Sequence, residues 1–151
     1  TFFMAPYVNS YKRFQVGSFA PTRKVWSVDN RTAAFRLVGD ASPAIRFECR
    51  VPGADVNPYL AIAGMLAAGI GGIEEKIEPP APMMGDAYAG DAEHIPTTLR
   101  DAVRALDGSK MLRAAFGDVV IDHYTRAATW EQEAFDAVVT DWEIARGFER
   151  A

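Results

Sequence analysis

The segment Ala44-Ile45-Arg46-Phe47-Glu48-Cys49-Arg50-Val51 alternates apolar and charged side chains with a period of two. Such alternation predicts a β-strand, because successive side chains of a strand point to opposite faces. The apolar face would carry Ile45, Phe47, Cys49 and Val51, and the charged face would carry Arg46, Glu48 and Arg50. Neighbours on one face lie about 6.5 Å apart, so two guanidinium groups would flank one carboxylate.

The charged face of this predicted strand has a composition that suits anion and metal binding. Arginine presents paired N–H donors that match the oxygens of phosphates and carboxylates. A carboxylate between two arginines is well placed to hold Mg²⁺ beside a bound phosphate. The same spacing also fits a solvated strand face with exposed ion pairs, and spacing alone does not separate the two interpretations.

The residues after the strand predict a turn and the start of a helix. Asn57 suits the N-cap position and Pro58 suits the first helical position. The helix predicted over Pro58–Ile73 is apolar on nearly every side. A membrane span is the competing interpretation, but a bilayer needs roughly 20 residues. The pattern therefore favours a buried helix that packs closely on the sheet, followed by a long proline-rich connection over Glu74–Pro96.

Two further strands are predicted upstream of the charged strand, over Val25–Val28 and Ala33–Val38. Arg31 and Arg36 are five residues apart, so they would face opposite ways on one regular strand. For both arginines to reach one site, Arg31 must lie in the turn before the strand. The preceding Asp-Asn pair is typical of a turn and fits that arrangement.

The C-terminal part of the chain predicts several helices. The segment Thr98–Asp101 resembles a capping box that opens a helix to Leu106, and Ser109 can cap another helix that stops near Gly117. The spacing then predicts one helix over residues 118–146. Four large apolar residues on it are expected to form core or subunit contacts: Phe135, Val138, Val139 and Trp142.

These elements predict an α+β fold in one domain. Residues 1–52 would form mainly strands and loops of an antiparallel sheet, which the helix over Pro58–Ile73 would back, and residues 53–151 would be mainly helical. A chain of 151 residues with 49% hydrophobic content can build a real core. Its first residue is Thr1, and the apolar residues that follow predict a fragment of a longer protein.

Charge is distributed unevenly along the chain. Residues 1–50 contain eight Lys and Arg against three Asp and Glu, whereas residues 51–151 contain eight against seventeen. The basic part would bind anions. Nucleic acid is excluded as a partner, because there is no dense Lys/Arg run and the acidic part would repel a phosphate backbone. The single cysteine, Cys49, rules out an internal disulfide and is expected in the core. No signal peptide is visible, which predicts a cytoplasmic protein.

Three motifs in order resemble the C-terminal part of the glutamine synthetase family: Asn9-Ser10-Tyr11-Lys12-Arg13, Asp29-Asn30-Arg31-Thr32, and the charged strand followed by Asn57-Pro58-Tyr59-Leu60. The resemblance extends from about Val8 to Trp142. It implies an enzyme that uses ATP with Mg²⁺ or Mn²⁺ to phosphorylate the side-chain carboxylate of glutamate, after which an amine displaces phosphate. It also implies a homo-oligomeric double ring whose active sites lie between neighbouring subunits.

The resemblance assigns a role to each of six charged residues. Glutamate would be held by Arg13 and Arg50, the transferring phosphoryl group by Arg31, the nucleotide phosphates by Arg36 and Arg46, and a divalent ion by Glu48. The remaining metal ligands and a catalytic aspartate would lie in an N-terminal part, so the fragment alone is expected to be inactive. A structural or regulatory homologue without catalysis is the alternative, and the retention of all six residues argues against it.

The chain departs from the family pattern at two places. Many members carry a lysine shortly before the charged strand, where this chain has Ser42-Pro43-Ala44. Ammonia-using members carry a glutamate six residues beyond the arginine that corresponds to Arg13, where it helps to bind and deprotonate ammonium. This chain has Phe19 there, and a phenyl ring cannot act as a base. Phe19 therefore favours an organic amine with an apolar body over ammonia as the substrate, although both remain open.

Overall fold

The computed structural model describes residues 1–150, which form an α+β fold as predicted. The strands are β1 (Trp26–Val28), β2 (Phe35–Val38) and β3 (Arg46–Cys49). The helices are α1 (Pro58–Glu74), α2 (Leu99–Asp107), α3 (Lys110–Phe116), α4 (Asp118–Asp136) and α5 (Asp141–Phe148). Two short 3-10 helices, Phe2–Met4 and Val8–Arg13, precede the sheet.

The sheet has the order β1-β2-β3 and is mixed. Strands β2 and β3 are antiparallel, as predicted, with Arg36 directly opposite Glu48. The prediction of an antiparallel sheet is wrong for β1 and β2, which pair in parallel with Trp26 opposite Phe35. Residues 29–34 cause the difference: they run back along the sheet before β2 begins, instead of forming a single tight turn.

Helix α1 begins where the sequence predicts. The side chain of Asn57 accepts hydrogen bonds from the backbone N–H groups of Tyr59 (3.0 Å) and Leu60 (3.4 Å), and Pro58 is the first helical residue. Among residues 1–150, none of the helices combines the length and apolarity that a membrane crossing needs.

The predicted packing of α1 on the sheet is wrong. The helix packs against α3 and the first 3-10 helix, with Gly64 facing the ring of Phe3. The outward face of α1 is exposed along Tyr59, Ile62, Leu66, Ile70 and Ile73. A helix that is apolar on every side gives no amphipathic pattern, so the sequence could not select the face that packs.

The caps of α2 and α3 are confirmed. Thr98 Oγ1 accepts a hydrogen bond from the backbone N–H of Asp101 (3.1 Å), and Ser109 Oγ accepts one from Leu112 (3.2 Å). The single helix predicted over residues 118–146 is wrong, because the chain breaks between α4 and α5. Phe135, Val138, Val139 and Trp142 are exposed around this break, so they are not core residues here.

The core lies between the 3-10 helices, α2 and α4. Its largest members are aromatic or aliphatic side chains: Phe2, Phe3, Tyr11, Phe14, Ile95, Leu99, Leu106 and Ile121. Cys49 packs against this core as predicted, with its Sγ 3.7 Å from Sδ of Met4. The segment 77–96, here called the crossing segment, returns from α1 over β1, where Met83 N–H donates to the Trp26 carbonyl (2.8 Å).

Candidate functional site

Glu48 lies at the centre of an ion-pair network on β2 and β3. Its Oε2 is 3.1 Å from Nη1 of Arg36, and its Oε1 is 2.7 Å from Nη1 of Arg50. Partial burial by itself would raise the pKa of Glu48, but the hydrogen bonds from the two arginines outweigh burial and lower it. The carboxylate is therefore ionised at neutral pH, and each oxygen has one arginine partner.

The prediction that Arg46 and Arg50 flank Glu48 is half correct. Arg50 pairs with the carboxylate, but Nη1 of Arg46 binds the Ala44 carbonyl (3.3 Å) and its side chain is exposed. Arg36 takes the place expected for Arg46. The register of β2 against β3 places Arg36 directly opposite Glu48, so Arg36 occupies the second carboxylate oxygen while Arg46 turns to the Ala44 carbonyl.

Arg36 and Arg50 are both enclosed in the network, with nearly equal side-chain exposure. Nη2 of Arg36 also pairs with Oδ1 of Asp29, and the side chain is only 16% exposed. The hydrogen bond that Arg36 donates to Asp29, with a smaller contribution from the one to Glu48, raises the pKa of Arg36 against the effect of burial. Arg36 thus joins two carboxylates, one on β3 and one in the turn after β1. Its predicted contact with nucleotide phosphates stays a prediction.

Arg50 connects three parts of the site. Besides Nη1 to Glu48, its Nε donates to the Arg31 carbonyl (3.1 Å) and its Nη2 donates to the Phe19 carbonyl (3.1 Å). A guanidinium group has five N–H donors, so two remain free after these three bonds. Arg50 can therefore hold the strand, the Arg31 turn and the Phe19 loop in place and still bind an anion.

Arg31 lies in the turn before β2, as predicted. Its side chain is exposed beside a crevice of about 500 Å³ between the turn and the crossing segment, where Met83 and Asp86 also line the wall. Among residues 1–150, Arg31 takes part in none of the ion pairs that hold Arg36 and Arg50. Its guanidinium is therefore available to an anion.

Arg13 ends the second 3-10 helix, an element that sequence reasoning missed. Its guanidinium donates to the Val51 carbonyl and lies 4.9 Å above the ring of Phe14. Burial lowers the pKa of Arg13, the nearby Asp55 carboxylate opposes this, and the charge of Arg50 lowers it further. The two arginines predicted to hold glutamate therefore lie close enough to sense each other's charge.

The loop Gln15–Pro21, here called the flap, is tied to both of these arginines. Ser18 Oγ lies 2.6 Å from the Gln15 carbonyl oxygen and 3.0 Å from the Arg13 carbonyl oxygen, and the Phe19 carbonyl accepts a hydrogen bond from Arg50. Phe19 has a φ of +58°, a region that side-chain-bearing residues rarely adopt, and is 61% exposed. The flap thus presents its phenyl ring outward beside the arginines.

The site offers a concentration of positive charge around one ionised carboxylate. Such a surface can bind anions and neutralise a transferring phosphoryl group. Within residues 1–150, no three His, Cys, Asp or Glu side chains come together in a metal-binding arrangement. Glu48 can therefore supply one metal ligand from this chain. Sequence reasoning missed Asp29 as a partner of Arg36, because the pairing depends on how the turn folds back.

Comparison with known proteins gives one family. A family model described as the catalytic domain of glutamine synthetase matches residues 1–147. The chain is 57% identical over 146 residues to gamma-glutamylethanolamide synthetase GlnA4 of Streptomyces coelicolor, covering 97% of this chain and 31% of that protein. It is 39% identical over 144 residues to glutamate-isopropylamine ligase of a Pseudomonas species, covering 93% of this chain and 31% of that protein.

A solved structure agrees with the sequence matches. The ADP complex of GmaS, in its conformation 1, matches with a TM-score of 0.85 and 29% identity, covering 98% of this chain and 36% of that chain. The chain therefore spans about a third of the length of these relatives.

Proposed function

The chain belongs to the glutamine synthetase family, and we propose that it is the C-terminal part of a ligase that joins the side-chain carboxylate of glutamate to an organic amine at the expense of ATP. The charged network around Glu48 supports the chemistry. Two relatives that match nearly the whole chain are named for an ethanolamide product and for an isopropylamine substrate, which supports the substrate class.

The proposed reaction has two steps. A side-chain carboxylate oxygen of glutamate attacks the γ-phosphorus of ATP, ADP leaves, and a γ-glutamyl phosphate forms. The amine nitrogen then attacks the acyl carbon, phosphate leaves, and the nitrogen loses a proton. Arg13 and Arg50 would hold glutamate, Arg31 would stabilise the phosphoryl group in flight, and Arg36 and Arg46 would face the nucleotide phosphates.

Within residues 1–150, Glu48 is the side chain at the centre of the arginine network, and it can serve as a ligand of a divalent ion. Mg²⁺ is commonly held by one or two carboxylates together with phosphate oxygens and water, so one ionised glutamate beside a phosphate site suffices from this chain. The ion, Mg²⁺ or Mn²⁺, would neutralise charge on the nucleotide phosphates. Glu48 retains free lone pairs after its two arginine contacts, so ligation does not require both contacts to break.

Phe19 is the single observation that carries the organic-amine proposal. Its ring is exposed on the flap, and its backbone is held by Arg50, one of the two arginines assigned to glutamate. An alkyl amine can bury apolar surface against this ring, whereas ammonium has no apolar surface to bury. The direct test is to supply the complete enzyme with ATP, Mg²⁺, glutamate and a panel of amines that includes ammonium, and to measure amide formation.

Replacing Phe19 with glutamate is expected to shift this preference toward ammonium. A new charged hydrogen bond is worth roughly 1.5–3 kcal/mol, so kcat/KM for ammonium should rise by about ten- to a hundredfold. Phe19→Leu is the matched control, because it keeps an apolar side chain at the same positive φ and should retain the organic amine. If ammonium is the best substrate of the unmodified enzyme, the interpretation of Phe19 is wrong.

Arg50→Lys is expected to weaken glutamate binding more than ATP binding. Lysine keeps the charge but loses the planar fork, so KM for glutamate should rise by about tenfold. A single ammonium also cannot reach the Arg31 and Phe19 carbonyls together, so KM for the amine should rise as well. Steady-state kinetics with each substrate varied in turn tests this. An equal rise for ATP and glutamate would mean that Arg50 acts only through general charge.

The double-ring assembly and the cytoplasmic location also belong to this proposal. The assembly is what the resemblance to the family implies, and the location is carried over from the sequence-based prediction. Size-exclusion chromatography with light scattering on the complete enzyme measures the assembly directly.

A further inference from the structure

The side chain of Asn30 forms hydrogen bonds that connect the turn containing Arg31 to the crossing segment. Its Nδ2 donates to the Gly85 carbonyl (2.7 Å), while its Oδ1 accepts from the backbone N–H (2.9 Å) and the hydroxyl (2.7 Å) of Thr32. The amide therefore uses both its donor and its acceptor. It joins the two sides of the Arg31 turn to each other and to a segment more than fifty residues away.

Two other contacts hold the same turn. The Thr32 hydroxyl accepts from the backbone N–H of Ala87 (2.9 Å), a residue that is only 1% exposed. On the other side, Nε of Arg50 donates to the Arg31 carbonyl (3.1 Å). The peptide of Arg31 is thus fixed from both sides, while its side chain lies free at the crevice.

The turn needs such support because its backbone is unfavourable. Asp29 has a φ of +46°, in the left-handed region that favours glycine. Residues in sparsely populated backbone regions persist only where surrounding contacts hold them. Asp29 itself is held by its ion pair with Arg36 and by the hydrogen bond from its N–H to the Leu37 carbonyl (2.9 Å). The rest of the turn, from residue 30 to residue 32, is held by the Asn30 network and by Arg50.

We propose that Asn30 is a positioning residue that orients Arg31 toward the transferring phosphoryl group. The inference rests on the proposed function, since it needs Arg31 to stabilise phosphoryl transfer. Stabilisation of a transition state depends on geometry to a fraction of an ångström, and a displacement of about 1 Å can cost on the order of a hundredfold in rate. Asn30 touches no substrate itself and acts through the turn.

The test is Asn30→Ala in the complete enzyme, combined with Arg31→Lys in a double-mutant cycle. With Arg31 present, kcat should fall by about ten- to a hundredfold while the KM values for ATP, glutamate and amine change by less than about threefold. In the Arg31→Lys background, Asn30→Ala should cause no further loss, because the group it positions is already gone. A residue that only stabilises the fold would lower kcat by the same factor in both backgrounds.

Asn57→Ala is the matched control. Asn57 also bonds backbone N–H groups, but it caps α1 rather than the Arg31 turn. Its loss should lower the melting temperature and leave kcat unchanged. If Asn30→Ala does not fold, Thr32→Val removes the hydroxyl that joins Asn30 to Ala87 and should show the same dependence on Arg31.

Three results would overturn the inference. The first is an unchanged kcat in Asn30→Ala. The second is a decrease in kcat by the same factor with Arg31 and with Lys at that position. The third is a rise in KM without a decrease in kcat. The wild-type amine panel separates this failure from failure of the proposed function. If the wild type ligates no amine to glutamate, both the proposed function and the inference are wrong. If the wild type ligates an amine to glutamate, a negative result with Asn30→Ala contradicts only the role of Asn30.

Discussion

Arg31→Lys is expected to lower kcat for phosphoryl transfer by about a thousandfold, because an arginine that stabilises a transferring phosphoryl group is typically worth at least that much. Lysine keeps the charge but presents a compact ammonium instead of a planar fork. The KM values for ATP and glutamate should change little, since the interaction strengthens only in the transition state. Rapid-quench measurement of the ADP formed in the first turnover isolates this step.

Arg126→Lys is the matched control for this experiment. Arg126 is an exposed arginine on α4, so the same replacement there should leave kcat unchanged. A loss of less than about tenfold in Arg31→Lys, or a loss seen only in KM, would contradict a transition-state role. Arg31 would then be a general electrostatic residue at the crevice.

Local signals in the sequence predicted the parts of the fold that local physics decides. Period-two alternation predicted β3 correctly, because only an extended strand places every second residue of a segment on the same face. Side chains that cap backbone N–H groups located the starts of α1, α2 and α3 at Asn57, Thr98 and Ser109. The spacing of Arg31 and Arg36 predicted the turn in a similar way. Two residues five positions apart on one strand point to opposite faces, so Arg31 had to lie outside the strand for both arginines to reach one site.

Most of the predictions that failed depend on partners distant in sequence. The pairing of Arg36 with Glu48 follows from the register of β2 against β3, which alternation within one strand does not reveal. The parallel pairing of β1 and β2 follows from the path of residues 29–34. The contacts of Arg50 with the turn and the flap likewise need the tertiary fold before they can be seen.

The break between α4 and α5 was predictable from a local motif. Thr140-Asp141-Trp142-Glu143 has the Thr-x-x-Glu pattern of a capping box, and the structure forms both of its bonds: Thr140 N–H donates to Glu143 (2.7 Å), and Glu143 N–H donates to Thr140 (3.3 Å). Because Phe135, Val138 and Trp142 recur at helical spacing, the sequence pattern predicted one continuous helix instead of this capping box. Apolar periodicity continues across the break, whereas the backbone hydrogen bonds restart at Thr140.

Glu48→Gln is expected to raise the Mg²⁺ concentration needed for activity and to lower kcat by about a hundredfold or more, because the metal loses an anionic ligand worth several kcal/mol. Glutamine keeps the shape but cannot accept hydrogen bonds from Arg36 and Arg50 on both ends. Its amide group would place N–H donors against one of the two guanidinium groups. Phosphate release measured across a series of Mg²⁺ and Mn²⁺ concentrations separates weaker metal binding from a slower reaction at saturating metal.

The two roles of Glu48 can be told apart by where the loss occurs. If Glu48 binds the metal, the activating Mg²⁺ concentration must rise; if it only organises the arginines, kcat falls while metal dependence stays unchanged. Glu93→Gln is the matched control, because the Glu93 side chain is 75% exposed and pairs with Lys24, away from the arginine network, so its neutralisation should alter neither quantity. Unaltered turnover of Glu48→Gln at limiting Mg²⁺ would contradict the assignment of Glu48 as a ligand and leave it as the anion that aligns Arg36 and Arg50.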